Sequence, residues 1–547
     1  MTEALLQSMS LEEKVGQLCV PILQSGEITP EIERAITKIG VGMIRFCPDA
    51  EFDNASKIVG KPNRYRTPSE MAAFTNEMQA LAKKTPHQIP LLIAVDQEGG
   101  TRSDVNRAGA AVYASHMCFG VANDPDLTYR VAKATAEEFA AMGINLVQAP
   151  ILDVFRRPGY KTMKAATFGE DVTLVTKHAA AMQRGFRDGG ILAMVKHFPG
   201  YGSIATDAHK GVAEITKPLE LLECEDVAPL VSLMQDDGVD AVMAGHAIVK
   251  CLDAEYPATL SKAVINDYLR GKLGFDGVVE TDAMRMRAIQ DRFGTAAASV
   301  MAINAGCDLV LLRGNEAHFM EGYEAILNAA KTGEISEKTL DDAVRRVLTL
   351  KEKAGLFKSA VTDPNQADKV VGCPAHREAL KELARRSVSV VKREDLPLDK
   401  NNDAKILVVA PEPQKIAAAT DPIQSVDMLV RAIKAHHENT EGYIPDLEPT
   451  DEQIQTAVNL AKNADIIVFA SCNAILYESQ VTLAEKLSGI GKLLVVVAME
   501  SPLDCIHMPF VKNYICTYGV ANDWAVEAAA CLFGKSAGNA VAPIALS

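Results

Sequence analysis

Basic charge, paired cysteines and long apolar runs are all scarce in this 547-residue chain. Its formal net charge is −15, which disfavours nucleic acid and anionic membranes as partners. The acidic residues form no long blocks, so a solvated surface accounts for them. No apolar run approaches the length of a membrane span. The first residues, Met1-Thr2-Glu3-Ala4, lack a basic stretch followed by an apolar core, so no secretory leader is expected. Eleven cysteines run from Cys19 to Cys531 without short paired spacings, and that odd number argues for reduced thiols in a cytoplasm. Internal repeats and low-complexity segments are missing too. What remains is the composition of a soluble globular protein, too long for one ordinary domain, so two or three are expected.

Strand-like and helix-like stretches alternate from about residue 40 to residue 350. A capping-box pattern at Ser10 and Glu13 starts an early helix that includes Val15, Leu18 and Cys19, and Thr67-Pro68-Ser69-Glu70 starts another. Apolar runs at 41–46, 91–95, 145–149, 191–195, 241–244, 277–280 and 309–312 read as buried strands. Near-continuous apolar strands alternating with helices indicate a parallel sheet covered on both faces, and seven or so units fit a (β/α)8 TIM-type barrel over residues 1–356. Residues 357–402 read as a linker and docking segment. A second alternation over 403–547, with strands at 406–410, 466–470, 493–497 and 514–518, reads as a smaller three-layer α/β sandwich domain. It has no Gly-rich phosphate loop, so its fold class says nothing about nucleotides.

The chemistry gathers where strands end. Lys196 and His197 close an apolar run and precede Phe198-Pro199-Gly200, which forbids continuation of strand or helix. Asp207 and His209 ride on the loop beyond. A single histidine near an apolar strand is usually a satisfied core residue, but a Lys, two His and an Asp in one strand-and-loop unit are costly unless used or well paired. The stretch Gly200-x-Gly202-x-x-Ala205 fits a loose dinucleotide fingerprint, yet Asp207 and His209 fall where the apolar phosphate-binding helix should begin. Asp-x-His is plausible metal-ligand spacing, but no thiolate pair or His-x-x-x-His accompanies it. Neither a cofactor nor a metal is expected. Asp96, His246 and Asp282 each follow the last apolar residue of another strand, and a barrel would bring all these ends to one rim.

That constellation reads as glycoside cleavage with retention. Asp282 follows a buried strand, where a carboxylate can be held rigid as a nucleophile, although a strand-end Asp can also simply cap the next helix. His209 is the natural acid/base because its ordinary pKa lies near neutrality, and Asp207 can orient its ring. Asp96, Lys196 and His197 can hydrogen-bond a polyhydroxylated substrate. A carboxylate nucleophile, a separate proton donor and hydroxyl-binding groups together are the parts such a reaction needs.

The sequence resembles family 3 glycoside hydrolases over nearly its whole length. The matching pieces are Asp96-Gln97-Glu98-Gly99-Gly100, Ala149-Pro150-x-Leu152-Asp153-Val154, Phe168-Gly169-Glu170-Asp171, Lys196-His197-Phe198-Pro199-Gly200, Pro257-Ala258-Thr259-Leu260-Ser261 and Thr281-Asp282-Ala283-Met284. The Asp207-x-His209 pair resembles the mark of the family's β-N-acetylglucosaminidase branch, whereas most of its β-glucosidases take a Glu from beyond the barrel. Ser501-Pro502-Leu503-Asp504 and Leu532-Phe533-Gly534 resemble its second domain. The resemblance implies a glycosyl-enzyme on Asp282, His209 as proton donor and then base, Asp207 as its support, and sugar binding by Asp96, Lys196 and His197 in the −1 subsite. His246 joins the expected substrate-binding set. Cis peptides are expected around Lys196-His197-Phe198.

Four positions depart from the family pattern. Tyr201 stands where a second His is common, Ala208 where Ser or Thr is usual, and Ala213 in place of Pro. Ala166 takes the place of an Arg that usually precedes the Thr-Phe pair, here Thr167-Phe168. Either a Lys or Arg from the stretch Arg156 to Lys164 reaches the same sugar hydroxyls, or the vacated space accepts a differently substituted sugar, including an anionic one. The resulting expectation is an exo-acting β-N-acetylhexosaminidase with a small carbohydrate substrate, such as chitobiose or a cell-wall-derived amino sugar, and neither nucleic acid nor membrane as partner. The oligomeric state is left open. A β-glucosidase or glycoside phosphorylase of the same family, and a sugar-binding protein that has lost turnover, are the alternatives.

Overall fold

Eight short apolar runs pair side by side in one parallel sheet. They are β1 (Cys19–Leu23), β2 (Met43–Phe46), β3 (Leu92–Asp96), β4 (Leu146–Gln148), β5 (Leu192–Phe198), β6 (Ala241–Ala244), β7 (Val278–Thr281) and β8 (Val310–Leu312). The computed structural model describes residues 2–23, 27–47, 51–52, 58–59, 66–100, 103–105, 110–206, 211–399, 403–411 and 427–546. The strands β1 to β7 pair in chain order, and β8 returns to pair with β1. A bridge between Glu280 and Leu309 joins β7 to β8, with the Thr281 N–H donating to the Leu309 carbonyl at 2.9 Å. The sheet therefore closes into a (β/α)8 TIM-type barrel. Inside it every strand residue but the last of β3 and His197 of β5 is buried, as strands covered on both faces require.

The covering helices start where the sequence provides caps. Thr67 and Glu70 form a capping box ahead of Pro68–Ala82, and Asp124 and Asp171 cap Pro125–Ala141 and Val172–Asp188 through their side-chain oxygens. The helix capped by Ser10 is shorter than the sequence reading: it spans Leu11–Gln17, after an earlier helix Thr2–Ser8, and Cys19 opens β1 instead of ending the helix. Pro21 lies within β1, opposite Leu312 of β8. A proline normally argues against a central strand, because it cannot donate to the ladder, and this strand is accordingly missing from the seven apolar runs.

The second sheet has six strands: β9 (Ser389–Arg393), β10 (Ile406–Val409), β11 (Thr440–Tyr443), β12 (Ile466–Ser471), β13 (Leu493–Ala498) and β14 (Asn513–Cys516), in the spatial order β9-β14-β13-β12-β10-β11. All pairings are parallel except that of β9 with β14. The edge strand β9 arises within the 357–402 segment, so part of what reads as linker is built into this sheet.

Residues just past the carboxyl ends of β13 and β14 abut the barrel rim. The Ser115 hydroxyl donates to the Tyr518 carbonyl, and the Glu170 N–H donates to the Pro543 carbonyl at 3.1 Å. Gly519 lies so close to the barrel that a Cβ there would stand 2.3 Å from the Ala114 carbonyl oxygen. Gly519→Ala should therefore lower stability by about 1–3 kcal/mol through overpacking at this junction. Denaturant unfolding checks this, and an unchanged midpoint would contradict the tight junction.

Candidate active site

Charged residues from three strands meet at the barrel mouth. Asp96 ends β3, where its side chain is about one-third exposed. The Lys196 ammonium, from β5 and almost completely buried, donates to Asp96 Oδ1 at 2.5 Å and pairs with Glu98 Oε1 at 2.7 Å. The Arg45 guanidinium, from β2, bonds both Asp96 and Asp104. The Asp104 carboxylate also accepts the Asp96 N–H at 2.7 Å, tying the turn back to its strand. Burial pushes the Asp96 carboxyl up, but Arg45 and Lys196 outweigh it and hold the pKa below its ordinary value. Burial likewise disfavours charge on Lys196, and Asp96 and Glu98 reverse that, raising its pKa. Asp96 is thus an anion offered to the mouth with its charge already balanced from behind.

A second network runs from β5 towards β7. The Lys196–His197 and Phe198–Pro199 peptides are cis, and Ala149–Pro150 is cis beside them. His197, partly exposed, donates from Nδ1 to Asp153 Oδ2 at 2.8 Å, while the Tyr201 N–H donates to Asp153 Oδ1 at 2.6 Å. The Tyr201 ring stacks on His197 at 4.6 Å between centroids, and its hydroxyl accepts from the His246 N–H. His246 was expected to bind substrate. It is fully buried instead, with Nδ1 on the Thr259 hydroxyl at 2.6 Å and Nε2 on the Ala283 carbonyl at 3.1 Å, and so it fixes the turn that carries Asp282.

Asp282 follows β7 directly. Its N–H donates to the Ala244 carbonyl at 2.9 Å, and its Oδ1 accepts from the Ala283 N–H at 2.6 Å. The side chain is only partly buried, and its charge acts on the His197 ring. Glu280, two residues earlier on the same face of the strand, has a different setting. It is fully buried and accepts from Gln148 Nε2 at 2.6 Å, and burial pushes its carboxyl up to about 8. Two neighbouring carboxyl groups thus differ in access: one open to the mouth, one sealed beneath it.

Asp207 and His209 lie outside the described residues. The two stems of their loop are fixed to this rim. Gly202 accepts the Arg156 N–H at 2.9 Å, and Ile204 accepts from the Thr162 hydroxyl at 3.1 Å. On the far side Ala213–Ile215 pairs in parallel with Ala247–Val249, just after His246.

The structure thus brings Asp96, Lys196, His197 and Asp282 together. Sequence reasoning missed Arg45 and Asp104 as members of the site. Arg45 had a readable signal, a cation inside an otherwise apolar strand run; Asp104 had none, because its partner lies 59 residues away. Glu98 and Asp153 stood in the quoted motifs without being assigned a role.

Residues 10–350 match the Glycosyl hydrolase family 3 N terminal domain. The chain belongs to glycosyl hydrolase family 3. Among its relatives in that family, β-hexosaminidase A of Pseudoalteromonas piscicida is 27% identical over 465 residues, covering 81% of this chain and 73% of the relative. A β-N-acetylglucosaminidase/β-glucosidase of Cellulomonas fimi is 26% identical, covering 94% of this chain and 90% of the relative. Among solved structures, the family 3 β-N-acetylglucosaminidase from Paenibacillus sp. str. FPU-7 superposes with a TM-score of 0.88 at 29% identity, covering 99% of each chain. The full-length match includes the second domain.

The His197–Asp153 pair yields a pH test. Burial alone would lower the His197 pKa, and the Asp153 carboxylate overrides it, raising the pKa above 6.5. A raised histidine pKa contributes stability fully below the unfolded value and loses it as pH rises through the folded value. In Asp153→Asn only burial and Lys196 remain dominant, so the ring should titrate below 6.5. Nitrogen-detected NMR of labelled histidine reads this, and an unmoved titration would remove Asp153 as the cause.

Proposed function

We propose that this glycoside hydrolase is a retaining, exo-acting β-N-acetylhexosaminidase that removes terminal β-linked N-acetylglucosamine through a covalent glycosyl–aspartate. The observation that carries the assignment of roles is the placement of Asp282 on the barrel rim. It directly follows β7, is partly open, and sits beside the His197 ring that Asp153 orients. Hexosaminidase relatives that align with most of the chain support the sugar. The Cellulomonas relative, which carries both hexosaminidase and glucosidase in its name, supports a measurable side activity on β-glucosides.

Asp282 attacks the anomeric carbon while His209 gives its proton to the leaving oxygen; His209 then takes a proton from a water whose oxygen attacks the anomeric carbon, breaking the bond to Asp282 and releasing the sugar with retention. Asp207 orients His209. Asp96, Lys196 and His197 hold the hydroxyls of the terminal sugar, and His246 acts one step back through Ala283. The O–H groups of the terminal sugar donate to the Asp96 carboxylate, which is already paired with Arg45 and Lys196, so binding needs no new compensation of charge. Reduced thiols support a cytoplasmic setting, since all eleven cysteines are free.

Asp282→Ala should lose at least about 10³-fold in rate, because among the described residues the other carboxylates of the mouth are held in ion pairs and Glu280 is buried. A 5-fluoro glycoside should leave its adduct on Asp282, as mapped by peptide mass spectrometry. An adduct on Glu280 would overturn the assignment. His209→Ala should slow substrates with poor leaving groups far more than activated aryl glycosides, since only the former need the proton in the first step. Equal losses in the two series would exclude His209 as donor. Release of a sugar phosphate in phosphate buffer, with no free sugar formed, would replace hydrolysis by phosphorolysis.

A further inference from the structure

The second domain does more than lean on the rim: it supplies a wall to a cavity at the place vacated by the missing arginine. Ala166, almost fully buried, lines a cavity of about 20 Å³ together with Glu98, Ser115, Lys164, Glu500 and Val520. Lys164 is more than nine-tenths buried, with its backbone in the left-handed region at φ 50°, whereas Lys161, in the short helix Tyr160–Met163 just before it, is exposed. Glu500 follows β13 of the second domain, and its Oε2 accepts from the Cys472 thiol at 3.8 Å. Val520 is held against the barrel at Gly100, where a Cβ would stand 3.2 Å from the Val520 carbonyl oxygen. Glu98 links the cavity to the mouth, since it pairs with the same Lys196 that bonds Asp96.

Size and charge together limit what such a space receives. A volume of about 20 Å³ holds one water-sized group, not a branched substituent. The ionisable residues of its lining are Lys164, Glu98, which pairs with Lys196, and Glu500. A hydroxyl, donor and acceptor at once, suits both kinds of partner, whereas an anionic substituent meets two like charges and no room.

We propose that Lys164 of the barrel and Glu500 of the second domain together read a single hydroxyl of the terminal sugar, in place of the arginine that Ala166 replaces. This rests on the reading that Asp96 and Lys196 hold that sugar. The subsite is then completed across the domain junction, and sugars bearing a carboxylate at the read position are rejected.

The test uses the full-length wild type and the variants Lys164→Met and Glu500→Gln, with p-nitrophenyl N-acetyl-β-glucosaminide and its 3-, 4- and 6-deoxy analogues. Wild type should discriminate strongly against one analogue. Each variant should raise KM for the parent substrate about tenfold, with a smaller change in kcat, and lose discrimination against that same analogue. Thermal unfolding midpoints close to wild type exclude a folding defect, and Lys161→Ala serves as the exposed control. Variants that keep the wild-type KM and the wild-type discrimination would overturn the proposal, as would efficient turnover of a glycoside carrying a lactyl ether on the sugar. A wild type inactive on the parent substrate, with its fold intact, would instead refute the hexosaminidase reading itself.

Discussion

The mouth of the barrel depends on a balance of charge that is settled before any substrate arrives. Arg45 and Lys196 stand against Asp96, Glu98 and Asp104, all linked by direct ion pairs. Charges this well buried are strongly unfavourable alone, and removing one partner leaves the others uncompensated. The pairs explain why a carboxylate can be presented at the end of β3 in its ionised form. They also join strands distant in sequence, since Arg45, Asp96 and Lys196 meet only when β2, β3 and β5 share one sheet.

Legibility in the sequence follows from how local each signal is. Strand ends were readable because an apolar run followed by a charged residue is a local pattern, and Asp96, Lys196, His197 and Asp282 all carry it. His246 carries it as well and is a different case. The run before it is the same, but whether the ring meets substrate depends on Thr259, Ala283 and Tyr201, which only the closed barrel brings around it. Likewise β1 was hidden by Pro21, a residue whose local preference is overridden by neighbours on both sides. The edge strand β9 was hidden for a different reason: only Ser389 is fully buried, Val391 and Arg393 are exposed and a bulge interrupts its pairing, so it lacks the continuous apolar character of the inner strands.

The second domain illustrates how little a fold class determines. Its mostly parallel sheet has the form in which ligands often bind at the carboxyl ends of the strands. Here that end is occupied by the barrel: Tyr518, Gly519 and Val520 press on Ser115, Ala114 and Gly100. The end where such a sheet often binds ligands is here covered by the barrel, so any ligand reaching it does so through the domain junction.

At the end of β7 two carboxyl groups stand in unequal settings, Glu280 buried and Asp282 partly open. A sugar losing its leaving group gathers positive charge at the anomeric centre, which nearby anions stabilise. The mouth sets Asp96, Glu98 and Asp104 against Arg45 and Lys196, and Arg313, just past β8, also acts on Asp96 and Asp104, so these charges are nearly balanced and Asp282 adds the anion that favours that charge. In the proposed mechanism, a further ionised group directly beneath Asp282 would work against the covalent step less through the sugar than through Asp282 itself, by like-charge repulsion at close range. Glu280 avoids this because burial, with a single donor from Gln148, keeps its carboxyl protonated at neutral pH. Two acids one strand-repeat apart thereby differ in solvent access and in hydrogen-bond donors, so one barrel strand carries both an accessible carboxylate and a sealed, protonated acid.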